Sequence, residues 1–420
     1  MPDLDPFFSE WSGRAAGSTR SLERARELMR ALDLDGDRPP VLGVVGSKGK
    51  GTTATTAAAA LSSAGLRTVL ATGPSFRSYR ERVRVDGASV SDGVLDALGA
   101  RIDRARRSLP GPAESGGYLA PSGLFLVAAL LHARGIGADV CVLEAGMGGH
   151  RDELRLIGPE VVALGAVFAE HIGVLGGTVT EIAREKTRVA GERTRSLVRL
   201  PQTPEVAAAV DAALAEATGG RVRAEIADPR EPGTEPPAEL RPPGLSAASG
   251  VLGTAAAARM LEHLGRGPLD PDRLHAVLRT LRLPARLSRH PVPGAAGAEV
   301  IVDSAIDRVG VAAALDHARA AWGGVDHVLL CLPDHKDVSG AVAVLGDLPV
   351  TMVRLPEAHL RFEYAPPAHW GRVDAADLSP ARVAALGGRV LALGTVYFTG
   401  RMTEVLDVPT DRLFGRPAAL

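Results

Sequence analysis

The sequence predicts an α/β protein in two units. The larger N-terminal unit is expected to be an ATP-binding domain of the P-loop type with a mostly parallel sheet, and the smaller C-terminal unit a Rossmann-like α/β domain. Three observations carry this. Residues 41–64 read as a buried strand, a glycine-rich turn, lysine, hydroxyls and a helix. Apolar strand-like runs alternate with helical ones along most of the chain, the pattern of parallel strands joined by crossover helices. At 420 residues the chain is long for one domain, and 283–297 has the proline and glycine texture of a connection. The expected division is 1–285, with an irregular segment at 219–243, a linker at 286–298, and 299–420.

Taken in order, residues 21–32 form an amphipathic helix leading to the strand 41–45. The turn Gly46-Ser47-Lys48-Gly49-Lys50-Gly51 follows, then Thr52 and Thr53 open an alanine-rich helix. Glycines let backbone N–H groups approach phosphate oxygens, and a helix N-terminus adds partial positive charge. Lys50 supplies a full charge, and Thr52 a hydroxyl suited to Mg²⁺. A strand is expected at 68–71, and Asp86-Gly87 signals a hairpin turn. Ser91 caps a helix running to about 109, and a further helix spans 122–134. The strand 140–143 has Glu144 at its end, followed by the glycine-rich AGMGGHRD. In open α/β sheets ligands sit beyond the carboxyl ends of strands, so Glu144 faces the loop as a candidate metal ligand. His171 follows the strand 161–165 in the same layer, and a helix carries Glu185-Lys186. The second unit alternates strand and helix from 300 onward. It has no G-x-G-x-x-G, so no dinucleotide cofactor is indicated.

Composition narrows the class. Net charge is −1, which implies no bulk attraction to nucleic acid or an anionic membrane. No apolar run reaches the length of a membrane span, and the first residues carry no signal-peptide pattern. The two cysteines lie in apolar runs and are expected as buried reduced thiols, which points to the cytoplasm. Only four lysines occur, Lys48, Lys50, Lys186 and Lys336, against 44 arginines. In such a chain lysine is retained where a guanidinium does not serve: a point charge at phosphate, or an amine that must lose its proton.

With these residues in hand, the chain resembles the folylpolyglutamate/dihydrofolate synthase family of the Mur ligase superfamily over nearly its full length. GSKGKGTT is similar to the family's nucleotide loop, ATGPSF with Arg80-Glu81-Arg82-Val83 to its Ser-Pro-His-Leu segment and following strand, and VLEAGMGGHRD to its Glu-x-Gly-x-Gly-Gly segment. Glu170-His171 stands at its Asp-His, Glu185-Lys186 at its Glu-Lys, Pro284-Ala285-Arg286 at its Pro-Gly-Arg, and Asp303 at the aspartate of its second domain. The resemblance implies an ATP-dependent, ADP-forming amide ligase working through an acyl phosphate. It implies ATP bound by residues 46–53, Arg286 and Asp303, and two Mg²⁺ ions held by Thr52, Glu144 and His171. Lys50, Lys186, Glu144 and His171 are the implied catalytic group, with Lys186 carbamylated. Small-molecule acid and amine substrates follow, with the chain a monomer or small homo-oligomer.

The departures are specific. The family's metal-binding serine is Gly73 here, and its His-Gln-x-x-Asn segment is absent near 244–250. Its His and Asn that hold glutamate become Ile306 and Asp307, followed by Arg308. Ile306 donates no hydrogen bond, and Asp307 adds a charge that repels a dicarboxylate. The expectation is therefore a specialised, non-folate substrate. The alternatives are a genuine folylpolyglutamate or dihydrofolate synthase and an inactive nucleotide-binding partner subunit.

Overall fold

The computed structural model describes residues 5–227, 236–357 and 359–416. The apolar run after Pro40 becomes β1 (Val41–Val45), buried at every position. It is joined by β2 (Thr68–Ala71), β3 (Val83–Val85), β4 (Ala88–Ser89), β5 (Val140–Glu144), β6 (Val161–Leu164), β7 (Ser196–Arg199) and β8 (Ala224–Ile226). Their order is β4-β3-β2-β5-β1-β6-β7-β8. The antiparallel pairings among these are β2 with β3 and β3 with β4. Strand side chains alternate between faces, and they enter two cores. Val41, Val45, Cys141 and Leu143 join one, with Phe7 and the helix Pro121–Gly135. Leu42, Val44, Val140 and Val142 join the other, with the helices Lys50–Ser63 and Ala247–His263. Those two helices are alanine-rich and close: a Cβ on Gly253 would lie 2.6 Å from the Thr53 carbonyl oxygen.

Register fixes the site's edge. Val44 lies opposite Glu144, and Val45 opposite Leu164. The glycine turn, Glu144 and the segment leading to His171 therefore leave the sheet at one end.

The second sheet contains β9 (Ser288–Pro291), β10 (Glu299–Asp303), β11 (His327–Cys331), β12 (Val350–Arg354), β13 (Gly371–Asp374) and β14 (Arg389–Gly394), ordered β13-β12-β11-β14-β10-β9. It is parallel except for β9. β9 lies within the span expected as a linker. Within 286–298 the chain forms an edge strand antiparallel to β10, and Pro291 at its end is tolerated because an edge leaves N–H positions unused. The C-terminal end corrects the second boundary. Leu413 and Phe414 are buried in the first unit's core. Ser89 N–H donates to Asp411 O at 2.7 Å, and buried Arg84 donates to the carbonyls of Thr410 and Asp411 at 2.8 and 2.9 Å. The last described residues thus strap the second unit back onto the first. The helix Asp5–Ser12 was not expected either; Phe7 anchors it by stacking on Phe125 at 4.4 Å. In the irregular segment 219–243, β8 and a short turn at 238–240 are described, and 228–235 lie outside the described residues.

Candidate active site

The turn is built as its glycines require. Gly46 has φ 147°, and a Cβ there would lie 3.0 Å from Gly165 Cα. Gly49 has φ 78° and stands immediately before the helix that begins at Lys50. The first N–H groups of that helix point out of its N-terminus, the arrangement that receives an anion. Ser47 stitches the turn to the segment after β6: its N–H donates to Ala166 O at 2.8 Å, and its hydroxyl accepts the Phe168 N–H at 3.2 Å. Thr53 is occupied elsewhere, its hydroxyl donating to Ser249 O at 3.1 Å.

All four lysines meet here. Lys50 Nζ and Lys186 Nζ donate to the same carbonyl, Gly46 O, at 3.1 and 3.0 Å. Lys186 is 1% exposed and pairs with Glu170 Oε1 at 2.7 Å. Burial pushes its ammonium below the usual lysine range; Glu170 opposes this, and Lys50 adds to it. Lys336, from the loop after β11, is lowered by burial and by the charge of Lys48. Lys48 pairs with Asp307 of the second unit. The glycine-rich 146–152 segment holds Lys186 from behind. His150 N–H donates to Glu185 O at 2.8 Å, and a Cβ on Gly149 would strike the Lys186 carbonyl.

Glu144 and Thr52 face the same N-terminus. A Cβ on Gly51 would lie 3.5 Å from Glu144 Oε2, which accepts the Gly73 N–H at 3.0 Å. Burial raises the Glu144 carboxyl, and Lys50 is the largest opposing influence. The Thr52 hydroxyl is buried and has no hydrogen-bond partner. Such an orphan normally costs stability and calls for an explanation. One hydroxyl and one carboxylate beside a phosphate site fit Mg²⁺, which keeps waters and binds through few protein oxygens. His171 has an exposed ring and φ 46°. Burial lowers its pKa, Glu170 opposes this, and Lys336, Lys186 and Lys50 contribute. Among the described residues no group of three His, Cys, Asp or Glu forms a metal cage.

The second unit sends two predicted residues to the seam. Arg286 Nη1 donates to Ser304 Oγ at 2.8 Å, and its charge acts on Glu144. Asp303 accepts the Leu287 N–H at 2.8 Å and is raised by burial. The amine-side expectation changes. Ile306 is half-buried and packs against the second unit's core. Asp307 caps the helix Arg308–Trp322 through Gly310 N–H at 2.8 Å. Burial would raise its pKa, but the Lys48 hydrogen bond and the Gly310 N–H outweigh that and hold it below the usual range. Its charge is therefore matched. The Arg308 N–H donates to Asp337 at 2.9 Å, and its side chain is exposed.

One residue assigned no role from the sequence stands at the junction. Arg82 fills the space above side-chainless Gly73, where a Cβ would lie 3.0 Å from its Nη1. Its Nε is buried and unpartnered. Desolvation lowers its pKa, while Tyr79, Glu144 and Tyr397 oppose that. Arg82 also lines a cavity of about 850 Å³ between the units, with Trp11, Tyr79, Tyr118, Tyr397 and Arg401. Its charge also acts on Glu144, which lines a neighbouring pocket with Thr52 and Arg286, and the two spaces share Pro74, Ser75, Phe76 and Val396. The signal for it was the glycine at 73 read together with the arginine nine residues on.

The two-sheet α/β fold is the fold of solved folylpolyglutamate synthases. The chain's sequence relatives and structural neighbours are folylpolyglutamate and dihydrofolate synthases, which bears out the resemblance carried by the motifs. No family model matches. The chain is 30% identical over 365 residues to a probable bifunctional folylpolyglutamate synthase/dihydropteroate synthase of Halobacterium salinarum, covering 79% of this chain and 44% of that protein. It is 30% identical over 189 residues to the dihydrofolate synthase/folylpolyglutamate synthase of Escherichia coli, covering 45% of this chain and 43% of that protein. The chain thus spans less than half the length of these curated relatives. Mycobacterium tuberculosis folylpolyglutamate synthase, solved with ADP and AMPPCP, superimposes with a TM-score of 0.77 at 21% identity, over 93% of this chain and 96% of that one. Among the described residues no helix is long and apolar enough to cross a membrane.

Proposed function

We propose that this chain is an ATP-dependent, ADP-forming ligase that joins a carboxylic acid to an amine through an acyl phosphate, with a folate-type acid and glutamate as substrates. The observation that carries the reading is the convergence of Lys48, Lys50, Lys186, Glu144 and the orphaned Thr52 hydroxyl around one helix N-terminus. The specialised substrate expected from the sequence has less support. Its argument was the unmatched charge of Asp307, and that carboxylate is paired with Lys48. The relatives are also named for folate chemistry.

In this reading the acid's carboxylate oxygen attacks the γ-phosphorus, ADP leaves, and an acyl phosphate forms. The amine then attacks the acyl carbon, phosphate leaves, and one proton is released. Phosphoryl transfer depends on positioning and on neutralising charge. Lys50 and the loop amides hold the phosphates. Thr52 and Glu144, with His171 as a further candidate, would hold Mg²⁺, which supplies charge neutralisation at the phosphate oxygens. Lys186 acts as an ammonium, since its nitrogen faces two acceptors; carbamylation would place a carboxylate against Glu170. The aromatic, arginine-bearing cavity suits a flat anionic acid, and Arg82 orients its carboxylate toward the loop. Closure of the seam excludes water from the acyl phosphate.

The test is ADP release with a reduced folate and glutamate, read together with the mass of the acid product. A product one glutamate heavier, formed with stoichiometric ADP, is expected. Nucleotide binding without turnover over a panel of acids and amines would overturn the ligase reading and favour a partner-subunit role.

A further inference from the structure

The loop 73–78 is a wall shared by two spaces. Pro74, Ser75 and Phe76 line the pocket with Thr52, Glu144 and Arg286, and they line the cavity with Trp11, Arg82 and Tyr397. One buried carboxylate holds the backbone of this wall. Glu81, 3% exposed, accepts the Phe76 N–H on Oε2 at 2.9 Å, and the Arg77 and Ser78 N–H groups on Oε1 at 3.1 and 3.0 Å. A further donor comes from far along the chain. The buried Thr410 hydroxyl reaches Glu81 Oε1 at 2.7 Å, across 329 positions. The same loop meets the second unit directly. Phe76 packs against that unit's core, and a Cβ on Gly400, in the helix Val396–Val405, would lie 2.5 Å from Phe76 O. Arg77 Nη1 donates to Val408 O at 2.9 Å. Thr410 and Gly400 themselves line neither space.

We propose that Glu81 and Thr410 are positioning residues for the acid substrate: through them the chain end returning from the second unit sets the form of the 73–78 loop, and the loop sets where the acid's carboxylate lies relative to Glu144. This rests on the proposed ligase reading. A carboxylate that accepts N–H groups from consecutive residues fixes those peptide planes, and the Thr410 hydroxyl fixes the carboxylate. Hydrogen bonds to an ionised group are the strong kind, and more so where water is excluded. A small misplacement of a reacting group is costly in rate. The phosphate loop 46–53 takes no part in these bonds, so the tie acts on the acid and not on the nucleotide.

The test compares Thr410→Val, which deletes the hydroxyl at similar volume, with Thr410→Ser, which keeps it. The acid is the reduced folate of the turnover assay. Its KM should rise about tenfold in Thr410→Val, the scale of one hydrogen bond to a charged group. Thr410→Ser should match the unaltered chain, and binding of a non-hydrolysable ATP analogue, measured by calorimetry, should be the same in all three. Gly400→Ala, which presses on Phe76 O from the second unit, should raise the same KM. Amide exchange at residues 76–78, read by mass spectrometry, should quicken in Thr410→Val and not in Thr410→Ser. Faster exchange with an unchanged acid KM overturns the positioning role, and so does a parallel rise in the KM values of acid, amine and ATP. Unchanged exchange in Thr410→Val overturns the tie itself. An unaltered chain that turns over no acid overturns the ligase reading, a result that the exchange measurement keeps apart from failure of the tie.

Discussion

The loops after β10 and β11 and those after β1 and β5 treat their polar groups in opposite ways. At the carboxyl ends of β10 and β11, each carboxylate has a backbone partner. Asp303 accepts Leu287 N–H, Asp334 accepts Glu363 and Tyr364 N–H, and Asp337 accepts Gly340 and Arg308 N–H. At the ends of β1 and β5, a buried hydroxyl has no partner, a buried carboxylate has one N–H, and two lysines share a single carbonyl. Satisfied polar groups hold loops in place, while groups left short of partners mark where a ligand belongs. The loops after β10 and β11 are held by their own hydrogen bonds, and those after β1 and β5 leave polar groups short of partners.

That contrast is broken most forcefully at Lys50. Lys50→Ala should lower ADP-forming turnover by about 10²-fold or more, the scale of losing one electrostatic stabiliser. Retention of full turnover in a steady-state ADP assay would remove Lys50 from the chemistry. Thr52→Val comes next. It deletes an orphaned hydroxyl, so thermal stability should hold or rise slightly. Affinity for a Mn²⁺-nucleotide complex, followed by paramagnetic resonance, should fall by about tenfold or more. A loss of stability with metal affinity intact would make Thr52 a packing residue. In the second unit the expectation reverses. Asp337→Ala removes helix-capping bonds and should cost about 1 kcal/mol in denaturant unfolding. Nucleotide affinity should stay unchanged, and a large drop would erase the distinction between the sheets.

A further effect is one of pH. Burial lowers His290, on β9, to about 4, against an ordinary value near 6.5. The unfolded chain therefore binds this proton more readily than the folded one, and acid favours unfolding. The penalty is absent above about 6.5, grows as pH falls, and is complete below about 4. His290→Gln should flatten the dependence of Tm on pH in that window. An unchanged slope would place the acid sensitivity elsewhere.

The sequence made the loop legible because its signals are local. β1 ends at Val45, where the apolar run ends, and the glycines sit where φ is positive or space is short. Lysine scarcity carried equal information, since all four lysines came together. What stayed hidden depends on pairs distant in the chain. Asp307 looked like an unmatched charge until Lys48 met it across 259 positions. Arg82 had no role until Gly73 was seen to leave room for it. β9 was masked by proline and glycine, which an edge strand tolerates and a central one does not. The C-terminal strap carries no motif: some of its bonds use backbone carbonyls, and its side-chain bonds, Thr410 to Glu81 and Asp411 to Arg80, join positions 329 and 331 apart.

The strap has a mechanical consequence. The chain leaves the first unit through 280–288 and comes back through 408–416, and the two passages touch: Arg282 N–H donates to Leu413 O at 2.6 Å, and Gly415 N–H to Thr280 Oγ1 at 2.7 Å. Two adjacent tethers confine the smaller body to swinging about the line they share. Twisting about that line is resisted, which holds Arg286 on the same side as Glu144.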